Sequence, residues 1–173
     1  EDKKGLKKNS LFGLNVKQEQ DSIKAFSKKI KIGKKVSDPD FMIIARIESL
    51  ILNKPVEDAY RRASEYLNAG ADAIMIHSKE KTPHEIFKFS NLFKKKFPNV
   101  PLVAVPSSYN KVKERELIQN GFNIVIYANH LLRASHPAME KTVLSILKNK
   151  RSFEIDSELM SIKKILELIP GTK

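Results

Sequence analysis

The feature that most constrains this sequence is the alternation, from about residue 41 onward, of short apolar runs with longer amphipathic segments. The runs are largely continuous and do not place a polar residue at every second position, which is expected of strands whose two faces are both covered. Such alternation predicts βαβ units built on a parallel sheet. The predicted strands span residues 41–47, 73–76, 102–105 and 124–127.

Helical segments separate these runs, and several carry signals for where a helix begins or ends. Pro55 followed by acidic residues, and then Gly70, predict the two ends of a helix over 55–70. Residues 82–85 read as a capping box with proline at the first helical position, opening a helix that ends before Pro98. Further helices are predicted over 17–31, 111–120, 131–149 and 157–169.

The length of the chain decides how these units can be combined. Four βα units and part of another fit into 173 residues, whereas a closed (β/α)₈ barrel typically takes about 250. About half of a barrel therefore fits this length, and the remaining half would have to come from elsewhere. A small open α/β sheet is the alternative, although the sequence lacks the glycine-rich turn that dinucleotide-binding folds place after their first strand.

Composition excludes several classes of function. The sequence contains no cysteine, which rules out disulfides, thiolate metal sites and cysteine nucleophiles and fits a cytoplasmic location. The longest apolar runs are far shorter than the roughly 20 residues that cross a bilayer, so we expect a soluble protein with no membrane contact. The net charge is +12, but the lysines are scattered and no nucleic-acid-binding motif accompanies them, so a solvated basic surface that attracts a small anionic substrate is the favoured interpretation.

Polar residues follow the predicted strands, where parallel α/β folds place their reactive groups. In chain order these strand-end groups are Glu1-Asp2-Lys3, Arg46 with Glu48, His77-Ser78, Ser107-Ser108 and Asn129-His130. Arg46 follows five apolar residues, where a charge is costly unless it faces a polar cavity, and this favours a functional role. For His77 a structural, hydrogen-bonded histidine and a site residue remain open alternatives. The four histidines lack the close pairing of a zinc site.

Several of these stretches together resemble the phosphoenolpyruvate phosphomutase family of the isocitrate lyase superfamily. The stretches that carry the resemblance are residues 1–3, 7–11, 40–48, 68–79 and 127–134. The resemblance implies the C-terminal half of a (β/α)₈ barrel with extra C-terminal helices, divided into a half-barrel over 1–150 and a C-terminal helix with a possible linker over 151–173. It also implies the interconversion of phosphoenolpyruvate and phosphonopyruvate with Mg²⁺.

The same resemblance implies a role for particular residues. Glu1 is expected to act at the magnesium site through bound water, and Lys7 and Asn9 to lie on a gating loop that contacts the phosphoryl group. Ser10, Arg46 and His77 are expected to contact the substrate. The principal magnesium aspartates of the family precede the Glu1-Asp2-Lys3 motif, so the resemblance also implies a partner in the N-terminal half of the barrel, and a homo-oligomer.

Three alternatives accompany this interpretation. Phosphonopyruvate hydrolase shares most of the motifs, but its pattern leads us to expect threonine where this chain has Asn9, which favours the mutase. The carbon–carbon lyases of the superfamily use a catalytic cysteine, and this sequence has none. The third alternative is that the 173 residues by themselves form an inactive half-barrel.

Overall fold

A computed structural model describes residues 1–5, 18–169 and 171 of the chain. Lys7, Asn9 and Ser10 therefore lie outside the described residues. The chain divides into two compact units, Glu1–Ala128 and Asn129–Lys173. The sequence placed a boundary at residue 150 instead, after the helix that the structure assigns to the second unit.

The first unit contains a small antiparallel pair and a larger parallel sheet. The pair joins β1 (Lys3–Lys4) to β2 (Glu19–Gln20). The parallel sheet has four strands, which lie side by side in the order of the chain. In chain order the remaining elements are α1 (Ile23–Val36), β3 (Ile44–Ile47), α2 (Val56–Asn68), β4 (Ala73–Ile76), α3 (His84–Lys96), β5 (Leu102–Ala104), α4 (Glu114–Gln119) and β6 (Ile124–Val125). The predicted parallel sheet with helical crossovers is confirmed.

Strand β4 has the predicted bounds, whereas β3, β5 and β6 are shorter than the apolar runs that predicted them. Pairing of β3 with β4 begins at Ile44 opposite Ala73, so Phe41 and Met42 precede the sheet and are 61% and 48% exposed. The register has a polar cause, because the Asp72 carboxylate accepts a hydrogen bond from the Ile43 backbone N–H at 2.7 Å while the Asp72 N–H donates to the Ile43 carbonyl at 2.9 Å. These two bonds fix the point at which the parallel pair begins.

The helices cover one face of the sheet. Ala45, Ile47, Ile74 and Ile76 are at most 1% exposed and belong to the same core as the apolar faces of α1, α2 and α3. Successive strand residues point to opposite faces. On the second face Ile44, Arg46 and Met75 are half-buried, whereas Ala73 and Val103 are fully buried. Among the described residues, the part of this second face around Arg46 is open enough to hold a polar site, and cover over the whole of the face stays a prediction.

Two predicted helix starts are wrong, each for a local reason. The helix predicted over 17–31 begins at Ile23, because Gln20 pairs in β2 and the Ser22 hydroxyl caps the helix by accepting a bond from the Ala25 N–H at 3.1 Å. The capping box predicted at residues 82–85 does not form, since the Glu85 carboxylate accepts a hydrogen bond from the Ser78 hydroxyl at 2.7 Å. Helix α3 begins at His84 with Pro83 at its N-cap position.

The second unit is entirely helical in its described part. Helix α5 (His130–Asn149) packs against a 3₁₀ helix over Phe153–Glu158, and α6 (Ile162–Glu167) follows. The single helix predicted over 157–169 is thus replaced by two shorter ones, and the break between them is set by Ser161, whose hydroxyl caps α6 by accepting from the Lys164 N–H. Among the described helices none has the length and apolar character needed to cross a membrane.

Candidate active site

Three residues singled out from the sequence meet at the carboxyl end of β3 and β4. Arg46 lies in β3, and its Nε is 2.7 Å from Glu48 Oε1 and 3.4 Å from Glu1 Oε2. His77 directly follows β4 and lies close enough to Glu1 and Arg46 for both charges to influence its ionisation. The parallel register brings this about, because Arg46 pairs with Met75, two positions before His77. The structure therefore gathers Glu1, Arg46 and His77 into one cluster, which we call the strand-end cluster.

His77 is buried without the hydrogen bond that a structural histidine would use. The residue is only 4% exposed, and its Nδ1 has no hydrogen-bond partner in the part of the chain that the structure describes. Burial, and next the positive charge of Arg46, lower the pKa of His77 to about 4. The imidazole is consequently neutral near pH 7 and can donate or accept a hydrogen bond without adding charge to the site.

Glu48 was considered in the sequence as an ion-pair partner of Arg46, and the structure makes it the centre of the cluster's charges. Its carboxylate is fully buried and lies 2.7 Å from Arg46 Nε and 3.4 Å from Lys3 Nζ. A buried carboxylate is stabilised by such cations. Glu48 therefore holds Arg46 and Lys3 side by side, and the signal for this in the sequence was only its position two residues after Arg46 on an apolar strand.

Asp2, which could have been a plain surface acid, is completely buried. Its Oδ2 accepts hydrogen bonds from the Tyr66 hydroxyl at 2.7 Å and from Gln20 Nε2 at 2.8 Å, and lies 3.2 Å from Arg62 Nη1. Its Oδ1 accepts from the Glu48 backbone N–H at 2.9 Å. Burial raises the pKa of Asp2, against the effect of these donors. Nothing in the sequence beyond its place beside Glu1 indicated this environment.

The other residues singled out from the sequence have different surroundings or belong to other parts of the chain. Ser78 is buried and donates to Glu85, while its oxygen accepts from the Glu80 N–H at 3.1 Å. Ser107 and Ser108 follow β5 and are half-buried. Asn129 and His130 belong to the second unit. Lys7, Asn9 and Ser10 lie outside the described residues, so their roles stay predictions.

The described residues do not by themselves fit a magnesium site. Mg²⁺ prefers near-octahedral oxygen coordination with one or two carboxylates, and no group of three histidine, aspartate or glutamate side chains that could hold a metal occurs in residues 1–5, 18–169 and 171. Asp2 directs its carboxylate to protein donors, and Glu1 lies in the ion pair with Arg46. Glu1 as a water-mediated magnesium contact therefore remains a prediction.

The chemistry that the strand-end cluster can support is the binding of a small oxyanion. Arg46 presents a planar guanidinium, a group that matches carboxylate and phosphoryl oxygens in pairs. The acidic residues Glu1 and Glu48 fix its orientation, and the neutral imidazole of His77 adds a polar contact nearby. Cation, oriented carboxylate and neutral donor within one partly enclosed cluster suit an anionic substrate better than an apolar one.

Known proteins are similar in sequence to most of this chain. The family model described as phosphoenolpyruvate phosphomutase matches residues 1–147. The chain is 37% identical over 169 residues to the phosphoenolpyruvate phosphomutase of Tetrahymena pyriformis, covering 97% of this chain and 55% of that protein. It is 39% identical over 167 residues to the phosphonopyruvate hydrolase of Variovorax sp. (strain Pal2), covering 95% and 57%.

Solved structures show the same two similarities. The phosphoenolpyruvate phosphomutase of Streptomyces platensis subsp. rosaceus superposes with a TM-score of 0.86 at 36% identity over 96% of this chain and 57% of that one. A phosphonopyruvate hydrolase in complex with oxalate and Mg²⁺ superposes with a TM-score of 0.77 at 39% identity, covering 91% and 55%. The chain spans about half the length of the relatives it matches, and the prediction of about half a (β/α)₈ barrel is confirmed.

Proposed function

The chain belongs to the phosphoenolpyruvate phosphomutase family of the isocitrate lyase superfamily, and from this premise we propose that the whole protein interconverts phosphoenolpyruvate and phosphonopyruvate. The phosphoryl group would move between the enol oxygen and the methylene carbon of the same pyruvate skeleton. The observation that carries the proposal is the strand-end cluster, in which Glu1, Arg46 and His77 lie together. The phosphomutase of Tetrahymena pyriformis and the hydrolase of Variovorax are similar to this chain at 37% and 39% identity, which leaves the hydrolase as the second candidate.

The proposed roles follow from what the reaction requires. A migrating phosphoryl group with metaphosphate character needs positioning and charge stabilisation more than covalent help. Arg46 would bind phosphoryl or carboxylate oxygens as a fork, and the neutral His77 would donate a hydrogen bond to the substrate. Lys7 would supply a point charge, and Asn9 and Ser10 neutral donors, from a segment outside the described residues.

Exclusion of water distinguishes the two candidate activities. Water that reaches the phosphoryl group takes it irreversibly and yields free phosphate, which is hydrolysis rather than transfer. Asn9 favours the mutase over the hydrolase, in whose pattern we expect threonine at this place. The distinction rests on one side chain, so it has to be measured.

The further properties implied by the family are part of the same proposal. We expect the whole protein to require Mg²⁺, with carboxylates from outside these 173 residues and with Glu1 acting through bound water. The hydrolase solved with oxalate and Mg²⁺ supports this expectation. A cytoplasmic homo-oligomer remains our expectation for location and assembly, and removal of Mg²⁺ by EDTA with restoration by added Mg²⁺ tests the metal requirement.

Phosphorus NMR on phosphonopyruvate with the full-length protein and Mg²⁺ tests the activity directly. Loss of the phosphonopyruvate signal with growth of the phosphoenolpyruvate signal is the expected result. Accumulation of inorganic phosphate without phosphoenolpyruvate would assign the hydrolase instead. If phosphonopyruvate yields neither phosphoenolpyruvate nor inorganic phosphate, both candidate activities are contradicted.

Replacement of Arg46 by lysine tests the site itself. The change Arg46→Lys keeps the charge but removes the planar fork, so we expect kcat/KM for phosphonopyruvate to fall by about 100-fold. Arg61→Lys is the matched control, because Arg61 is 67% exposed and pairs with Asp58 on the surface of α2. Equal activity of the Arg46→Lys variant and wild type would remove Arg46 from the site.

A further inference from the structure

Helix α2 buries two polar side chains that the proposed roles do not use. Arg62 and Tyr66 lie one turn apart and are 5% and 0% exposed. A buried guanidinium is costly unless its donors are paired. Both side chains point to the same carboxylate, Asp2 Oδ2, from which the Tyr66 hydroxyl oxygen is 2.7 Å and Arg62 Nη1 3.2 Å away.

The pairing around Arg62 is extensive. Its Nη1 also donates to the Tyr66 hydroxyl and to the Asp21 carbonyl, each at 2.9 Å, and its Nε donates to Asp58 Oδ2 at 3.0 Å. Tyr66 packs its ring edge-on against Phe26 with centroids 4.8 Å apart. The arrangement therefore has fixed geometry on the helix side, and Asp2 is the group that it fixes.

Asp2 in turn connects this helix to the strand-end cluster. Its backbone N–H donates to the Arg46 carbonyl at 3.1 Å, and its Oδ1 accepts from the Glu48 backbone N–H at 2.9 Å. The residues on either side of this point are Glu1, whose carboxylate lies 3.4 Å from Arg46 Nε, and Lys3, which pairs with Glu48. Displacement of Asp2 would consequently move Glu1 and Lys3 relative to Arg46.

The same hydrogen-bond network includes Gln20 and Asp21, which precede helix α1. Gln20 Nε2 donates to Asp2 Oδ2 and to the Ser49 hydroxyl at 3.0 Å, and the Asp21 N–H donates to the Asp2 carbonyl at 2.8 Å. Ser49 donates to Asp58 Oδ2 at 2.8 Å, which returns the network to α2. Asp2 is therefore bonded to β2, to the end of β3 and to α2 at once.

We propose that Arg62 and Tyr66 are positioning residues of the active site, which act through Asp2 to hold Glu1 and Arg46 in their relative placement. The expected effect on turnover rests on the proposed function, whereas the expected effect on the placement of Glu1 and Arg46 does not. Within the described part of the chain, Arg62 and Tyr66 bond to Asp2 and not to Glu1, Arg46 or His77. Their effect on turnover should therefore depend on Arg46.

The change Tyr66→Phe in the full-length protein tests the proposal, because it keeps the ring against Phe26 and removes only the hydroxyl. We expect kcat/KM for consumption of phosphonopyruvate to fall about tenfold, the scale of a lost hydrogen bond to a charged group. In the Arg46→Lys background the same change should cost less than about threefold, since coupled residues are not additive. The matched control is Tyr60→Phe, a half-buried tyrosine on the same helix, which should change neither value.

A second measurement keeps the geometric inference independent of activity. Hydrogen exchange of the Arg46 Nε–H, followed by nitrogen-15 NMR, reports its bond to Glu48 and should accelerate in Tyr66→Phe but not in Tyr60→Phe. Unchanged exchange in a folded Tyr66→Phe variant, or activity losses that simply add to those of Arg46→Lys, would overturn the proposal. Wild-type protein that consumes no phosphonopyruvate would contradict the proposed function, while the exchange result would still decide the positioning role.

Discussion

At the residue scale, the burial of His77 links the site to the stability of the fold. The pKa of this imidazole is lowered from 6.5 to about 4 by burial and then by Arg46. A depressed pKa in the folded state means that the unfolded chain binds the proton more readily. The stabilising contribution is therefore complete above pH 6.5 and is lost as the pH falls toward 4.

This sign gives a quantitative prediction for His77→Gln, whose amide does not titrate in this range. Between pH 7 and pH 4, protonation at His77 should lower the free energy of unfolding of the wild type by at most about 3 kcal/mol, since each unit of pKa shift corresponds to about 1.4 kcal/mol. The variant should not show this decrease. Urea unfolding at several pH values measures this, as a change of that size in the difference between the free energies of unfolding of wild type and variant. His84→Gln, which removes an exposed imidazole, should keep the wild-type profile.

The residue roles that the sequence indicated and those that it did not indicate differ in a physical way. Arg46 and His77 were identified because each follows or ends an apolar run, and that position is visible in one dimension. Asp2 owes its importance to Glu48 and Tyr66, which are 46 and 64 positions away. Glu48 likewise pairs with Lys3, which is distant from it in sequence. Single-sequence patterns do not contain such pairs, so the supporting network had to come from the structure.

At the element scale, helix ends rather than helix interiors carried most of the errors. The apolar residues of α3 recur with a regular helical period, and Ile86, Phe89 and Phe93 are fully buried. The start of α1 and the cap of α3 were wrong because Gln20 and Glu85 found tertiary partners. Local propensity is a weak guide wherever a side chain can bond to another element.

The end of α4 offers a test at this scale. Gly121 has φ of +81°, and a Cβ there would lie 3.1 Å from Lys94 Cγ and 3.2 Å from Ser90 Oγ of α3. Gly121→Ala should therefore combine backbone strain with a close contact and lower the free energy of unfolding by about 2 kcal/mol. Thermal or urea unfolding of the first unit measures this.

Gly5 provides the matched control for that substitution. It has φ of +75°, but nothing lies within 4 Å of its ideal Cβ position. Gly5→Ala should thus cost only the strain of the left-handed conformation, about 1 kcal/mol. Equal losses in the two variants would show that the packing of α4 against α3 contributes nothing at this point.

At the scale of the whole molecule, the order of strands followed from chain order, but the open face of the sheet did not. Continuous apolar runs indicated cover on both sides. In the described part of the chain, helices cover the face that contains Ala45, Ile47, Ile74 and Ile76, and Arg46 on the other face is half-buried. In a (β/α)₈ barrel the second face is the interior, closed by the other strands. The apolar runs therefore fit strands whose second face is covered by the remaining strands of a barrel.

Whether these 173 residues catalyse the reaction without the remaining strands of a barrel can be tested. The chain covers 55% of one phosphomutase relative, and its described residues contain no group of three side chains that could hold a metal. We expect the 173-residue chain to consume no phosphonopyruvate with Mg²⁺, while a protein of the relatives' length does so under the same conditions by phosphorus NMR. Because Arg46 and His77 already lie together in this chain, the missing contribution would be charge neutralisation and enclosure rather than substrate contact. Turnover by the 173-residue chain would show instead that the strand-end cluster is sufficient.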